Sequence, residues 1–340
     1  MKILVAGLGS IGRRHLRNLT ALGERDIFLY HTGRATLPDD DLAVFTVETN
    51  LEAALARRPE AVIVSNPTAL HLDVAIPAAE AGCHLLIEKP ISHTMERVDA
   101  LQAAVRRGGG QVLVGFQFRF HPGLQQVARL LAEEAIGRPL SVRAHWGEYL
   151  PGWHPWEDYR QTYSARSELG GGVVLTLCHP LDYLCWLFGD IDALWAFEAR
   201  LGDLDLSVED TAEIGLRFRS GVLGSLHLSY NQRPTTHRLE IIGTQGTIRW
   251  DNADGIVLLY RVTAEMEKRQ AGTFSGGWES FPPPPGFERN TLFQDEMRNF
   301  LAALHGEAEP ACPLEQGICA LRLALAVHTS AQSGQMIRIQ

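Results

Sequence analysis

Ile3-Leu4-Val5-Ala6-Gly7-Leu8-Gly9-Ser10-Ile11-Gly12-Arg13-Arg14-His15 runs from a short apolar segment through three spaced glycines into a basic one. Four apolar residues in a row read as a buried strand, and the segment after Gly9 reads as a helix. Gly7 permits the tight strand-to-helix turn, Gly9 lets the backbone approach a pyrophosphate, and Gly12 lets helix and strand pack closely. The free N–H groups of the first helical turn, at Ser10 and Ile11, then face the phosphates. A second apolar strand at Ile27 to Tyr30 supplies the context that a bare G-x-G-x-x-G lacks. The reading is a dinucleotide site at the N-terminus.

A dinucleotide with a free ribose 2′-hydroxyl calls for an Asp or Glu at the end of that second strand. The chain reads His31-Thr32-Gly33-Arg34 there. A hydroxyl at Thr32 and a guanidinium at Arg34 suit a 2′-phosphate, so NADP(H) is the first choice and NAD(H) stays open.

Strand and helix patterns alternate from there to about residue 115, which implies a doubly wound parallel sheet with helices on both faces. Ala61-Val62-Ile63-Val64 and Leu85-Leu86-Ile87 are uninterruptedly apolar, as strands covered on both faces are. Ligands of such sheets bind beyond the carboxyl ends of the strands. Asn66-Pro67-Thr68, with His71, and Glu88-Lys89-Pro90 fall at those ends and should line the cofactor. Lys89 is the candidate for chemistry, its ammonium held by Glu88 and its turn fixed by Pro90, with a cis bond as one option.

From His121 the pattern becomes alternating segments separated by turns, which reads as an α+β unit built on a large, mostly antiparallel sheet. The expected division is 1–120, the dinucleotide-binding domain, and 121–340, the domain for substrate binding and oligomerisation. One face of an antiparallel sheet can take a second copy of the chain, so a homodimer or homotetramer is expected through it. Phe274 to Phe287, with four consecutive prolines, reads as a stiff loop before a helix at Thr291 to Leu304. Asp295 and Glu296 read as partners of that helix's N-terminal dipole.

The 340 residues are 45% hydrophobic with a net charge of −9, enough apolar material for two cores and no basic footprint for nucleic acid or an anionic membrane. The N-terminal apolar run is too short for a signal peptide, and a cytoplasmic location is expected. Five cysteines without a C-x-x-C pair indicate neither a disulfide framework nor a metal site.

Taken together, the N-terminal glycine motif, Asn66-Pro67-Thr68-Ala69-Leu70-His71, Ala81 to Pro90, Gly115 to Pro122, and Gly170-Gly171-Gly172 leading to His179-Pro180-Leu181-Asp182 resemble the glucose-fructose oxidoreductase and inositol dehydrogenase family, Gfo/Idh/MocA. The resemblance spans essentially the whole chain. It implies a nicotinamide-dependent oxidoreductase acting on a secondary alcohol or ketone of a sugar, cyclitol or nucleotide-sugar. It also implies that Lys89 assists proton transfer and that His179 serves as acid/base, a task suited to imidazole. The family's usual aspartate ahead of the histidine is replaced by Thr176. Asp182, one turn beyond His179, is the substitute support for the imidazole. Arg119, His121, Trp153, Trp156, Tyr159, Arg160, Tyr163 and Thr176 are the candidates for substrate contact. The missing aspartate keeps open a regulatory protein without turnover, and a lyase or glycosidase using transient redox is the other alternative.

Overall fold

Ile3–Ala6 form β1, buried along its whole length, and Gly7 turns the chain at a φ of +94° into α1, Ser10–Ala21. A Cβ at Gly7 would stand 2.3 Å from the backbone nitrogen of Asn66, so only glycine fits the turn. The computed structural model describes residues 1–33, 42–262 and 277–339. Arg34 therefore lies outside the described residues, as does the start of the expected loop at Phe274.

The strands β2 (Ile27–Tyr30), β3 (Thr46–Glu48), β4 (Ala61–Val64), β5 (His84–Glu88) and β6 (Val112–Gly115) join β1 in a six-stranded sheet of order β3-β2-β1-β4-β5-β6. Every pairing in it is parallel. α2 (Leu51–Ala56), α3 (His71–Glu80) and α4 (Val98–Gly108) alternate with the strands. The strand order reverses beside β1, which places the open crevice of this fold at the glycine turn.

The second sheet has nine strands in the order β14-β13-β12-β11-β7-β10-β9-β8-β15. They are β7 (Pro139–Tyr149), β8 (Ile191–Ala199), β9 (Thr211–Phe218), β10 (Leu223–Ser229), β11 (Asn231–Gly243), β12 (Gly246–Asp251), β13 (Val257–Arg261), β14 (Glu279–Phe281) and β15 (Ile337–Arg338). All neighbours are antiparallel except β7 and β10. Among the described residues the remaining α-helices are α5 (Pro122–Ala132), α6 (Val173–Thr176), α7 (His179–Phe188), α8 (Arg289–Leu304) and α9 (Leu314–Ser333). Contacts such as Tyr183 of α7 with Trp146 and Ser330 of α9 with the Ala196 N–H cover one face of the sheet. Trp195 and Phe197 are exposed on the other.

Contacts divide the chain into two units, and the division is more interleaved than two successive blocks. The first unit holds Met1–Gln117, Trp156–Cys178 and Glu288–Arg322; the second holds Phe118–Pro155, His179–Phe287 and Leu323–Gln340. The chain returns to the first unit because α8 packs on α1, with Phe293 edge-on to His15 and under the guanidinium of Arg14. Two details differ from expectation. Part of the proline-rich stretch is an edge strand, β14, paired with β13. Helix α8 starts at Arg289, so Asp295 and Glu296 lie in its second turn, away from the N-terminal dipole.

Candidate active site

In the first unit, the turn after β1 is shaped to receive an anion. A Cβ at Gly12 would lie 1.9 Å from the Gly7 carbonyl, whereas a Cβ at Gly9 would meet no atom of the described residues within 4 Å. Gly12 is thus required for helix–strand packing, and the space over Gly9 is open. No side chain caps α1 at Gly9, so the N–H groups of its first turn face that space unpaired by a cap. This arrangement fits a pyrophosphate, which a Cβ at Gly9 would crowd. Arg13 is buried and donates to the Leu8 carbonyl at 3.0 Å, which stiffens the turn.

The loops after β4 and β5 are tied together by His71. Its Nδ1 lies 2.9 Å from the Pro90 carbonyl and its Nε2 2.9 Å from that of Asn66, whose side chain donates to the Leu70 carbonyl. Burial lowers the pKa of His71, against the opposing pull of Glu88 and the two carbonyls. His71 and Asn66 thus brace the strand ends. Thr68 is buried, and a Cβ at Gly170 would lie 3.0 Å from its own Cβ. Thr32 is exposed at the end of β2.

The Lys89–Pro90 peptide is cis. The ammonium of Lys89 donates to the Thr176 carbonyl at 2.6 Å, and Thr176 Oγ1 is buried without a partner among the described residues. Glu88 differs from expectation. Its Oε1 accepts from His15 Nε2 at 2.8 Å and its Oε2 from the Lys89 backbone N–H at 3.2 Å, so it steers Lys89 through the main chain. Burial opposes the charge of Glu88. The hydrogen bond and charge of His15, with Lys89 and His71, outweigh burial and hold its carboxyl below the ordinary value.

Behind this pair stands a residue that sequence reasoning misplaced. Glu296 is fully buried, neither of its oxygens has a hydrogen-bond partner among the described residues, and its carboxyl lies within 4.8 Å of ligand atoms of both His15 and Glu88. Burial, then the charge of Glu88, push its pKa well above the ordinary carboxylate value, which favours the neutral acid. A carboxyl whose pKa rises on folding gives stability that is full below its unfolded value and is lost as pH rises through the folded one. Glu296→Gln keeps the shape and removes the titration. Its stability relative to the parent chain in urea melts should rise between about pH 4 and about pH 8; a variant-to-parent difference unchanged between the two would contradict this.

In the second unit, His179 opens α7 and is buried, 5.0 Å from the Phe118 ring and 5.6 Å from that of Trp146. Asp182 turns both carboxylate oxygens to Arg119, which donates from Nε at 2.9 Å and from Nη2 at 2.5 Å. Asp182 is therefore a counter-ion of Arg119, and the pair is buried. His121 has a capping role. Its Nδ1 caps α5 by accepting the Gly123 N–H at 3.0 Å, and burial lowers its pKa to about 4.

The aromatic stretch expected to recognise substrate is divided between the units. Trp153, in the second, stands edge-on to Tyr230 at 5.7 Å. Trp156, Tyr159, Arg160 and Tyr163 belong to the first, where Trp156 is 66% exposed and Arg160 is paired with Asp158.

Residues 1–116 match the model of the oxidoreductase family with an NAD-binding Rossmann fold, and residues 124–249 match the C-terminal domain model of the same family. The chain belongs to the Gfo/Idh/MocA family. As a Gfo/Idh/MocA protein it is a nicotinamide-dinucleotide-dependent oxidoreductase, in agreement with the cradle at Gly7 to Gly12. It is 29% identical over 287 residues to the 1,5-anhydro-D-fructose reductase of Ensifer adhaerens, covering 83% of this chain and 80% of that one. It is 25% identical over 357 residues to the myo-inositol 2-dehydrogenase of Thermotoga maritima, covering 100% and 99%. Among solved structures, levoglucosan dehydrogenase in complex with NADH shares the fold with a TM-score of 0.86 at 18% identity, covering 100% of this chain and 99% of that one. No single helix among the described residues is long and apolar enough to cross a membrane.

Proposed function

We propose that this Gfo/Idh/MocA protein interconverts a secondary alcohol and a ketone on a sugar, cyclitol or nucleotide-sugar, with Lys89 and His179 handling the hydroxyl proton. The observation that carries the reading is the Lys89 ammonium, fixed on the Thr176 carbonyl at the end of β5, the strand next but one to the glycine turn. The bound nicotinamide supplies the hydride acceptor or donor. The chain's own contribution is orientation and proton transfer: Lys89 donates to the substrate oxygen and His179 takes up or returns the proton. Relatives named for 1,5-anhydro-D-fructose and myo-inositol support a polyhydroxylated ring as substrate.

NADP(H) remains the first choice of dinucleotide. Residues 31–33 offer no carboxylate, and Glu48, opposite Tyr30 on β3, is paired with Arg57 at 2.6 Å. The purified enzyme is incubated with each dinucleotide against aldoses, cyclitols, sugar acids and nucleotide-sugars, and the nicotinamide absorbance is followed. A change with one class supports the reading. Tight dinucleotide binding with silence across the panel favours a regulatory protein, and product without net absorbance change favours transient redox.

The exposed Trp195 and Phe197 on β8 favour a second copy of the chain against the open sheet face. Light scattering should report a dimer or tetramer, and Phe197→Asp should shift it toward monomer. A monomeric parent chain would overturn that part.

A further inference from the structure

We propose that Trp146, locked in place by Glu148 and His237, is the positioning residue that sets the ring of His179. The proposal rests on the reading of His179 as the group that exchanges the substrate proton.

β7 carries Trp146 and Glu148 two residues apart, hence on one face, and the register of β11 sets His237 opposite Trp146. The His237 ring lies flat on the indole, with centroids 3.7 Å apart and planes at 14°. Oε1 of Glu148 accepts from both rings, from Trp146 Nε1 at 3.1 Å and His237 Nε2 at 2.9 Å. Asn252 Nδ2 donates to His237 Nδ1 at 3.1 Å. Neither ring can turn without breaking one of these bonds.

The imidazole of His179 is tilted 39° to the indole plane. Phe118, edge-on to Trp146 at 4.6 Å, forms the second wall of its corner. Trp146 is only 1% exposed, and an apolar neighbour would satisfy its burial. Holding it instead with a carboxylate whose side chain is 15% exposed carries a desolvation cost that packing alone does not explain. Orientation does explain it, because a proton-transfer group displaced by about 1 Å can lose about a hundredfold in rate.

The test uses the full-length enzyme with the substrate found in the absorbance panel. Glu148→Leu removes the shared acceptor, and kcat should fall about tenfold to a hundredfold while KM and the dinucleotide Kd stay within about twofold. Glu148→Gln retains a carbonyl oxygen for both donors and should bring kcat back to within about threefold of the parent. His237→Phe keeps the stack without the lock and should lower kcat by an intermediate factor, which provides the answer if Glu148→Leu does not fold. A kcat within about twofold of the parent for His237→Phe and for any folded Glu148→Leu overturns the proposal, as does a Glu148→Gln enzyme as slow as the Leu variant. His179→Asn is measured alongside. If it turns over at the parent rate, the proton reading fails and this proposal with it. If it is dead while the Glu148 and His237 variants run at full rate, the proposal alone fails.

Discussion

Lys89→Met should lower turnover on the order of a thousandfold while the dinucleotide Kd stays within about threefold. The methionine fills nearly the same volume but carries neither charge nor proton. In the folded chain the ammonium donates to the Thr176 carbonyl at 2.6 Å, so one of its three N–H groups is fixed and the others are aimed by that anchor. A carbonyl anchor orients the lysine without adding a counter-charge, which suits a group proposed to polarise a substrate oxygen. Dinucleotide binding should survive because the cradle is built from Gly7, Gly9, Gly12 and the first turn of α1, none of which needs the Lys89 side chain. Lys89→Arg should be nearly as slow, since the larger planar guanidinium presents its donors in a rigid fork that does not reproduce the ammonium's position on the Thr176 carbonyl. Single-turnover nicotinamide absorbance separates the two effects. Turnover by Lys89→Met within about threefold of the parent would remove Lys89 from the chemistry.

The parts of the molecule that were legible in the sequence are those set by local rules. The β1-glycine-α1 turn was readable because its three glycines fall within six residues directly after an apolar strand, and β4 and the Leu85–Ile87 stretch of β5 were readable because strands buried on both faces are apolar there. What escaped depends on partners far along the chain. Glu88 looked like a partner for its neighbour Lys89 and instead turns to His15, 73 residues away. Glu296 follows Asp295, but on a helix adjacent residues point about 100° apart. Asp295 meets Arg298 at the surface while Glu296 faces the core. Helix α9 gave no signal because Leu314 to Val327 is apolar around most of its circumference, without the one-sided stripe that marks an amphipathic helix. The His237 stack on Trp146 needed the β7–β11 register, which neither strand specifies alone.

Asp182→Ala should destabilise the second unit by about 3–5 kcal/mol, the usual consequence of stranding one member of a buried ion pair. The side chains of Arg119 and Asp182 are 6% and 2% exposed, and the guanidinium meets the carboxylate in two-pronged fashion. Without the carboxylate the charge of Arg119 would stay buried, because a guanidinium does not give up its proton. Asp182→Asn, which keeps one acceptor oxygen, should cost less. The double variant Arg119→Met/Asp182→Leu should recover most of the loss, since an apolar pair of similar volume avoids desolvating two charges. Urea melts followed by tryptophan fluorescence measure all four chains. A loss under about 1 kcal/mol for Asp182→Ala would show the pair to be solvated. The pair also links the turn bearing Phe118 to the helix that opens with His179. If the double variant regains stability but not turnover, the ion pair is retained for the placement of His179 against Phe118; if it regains both, its role is confined to the fold.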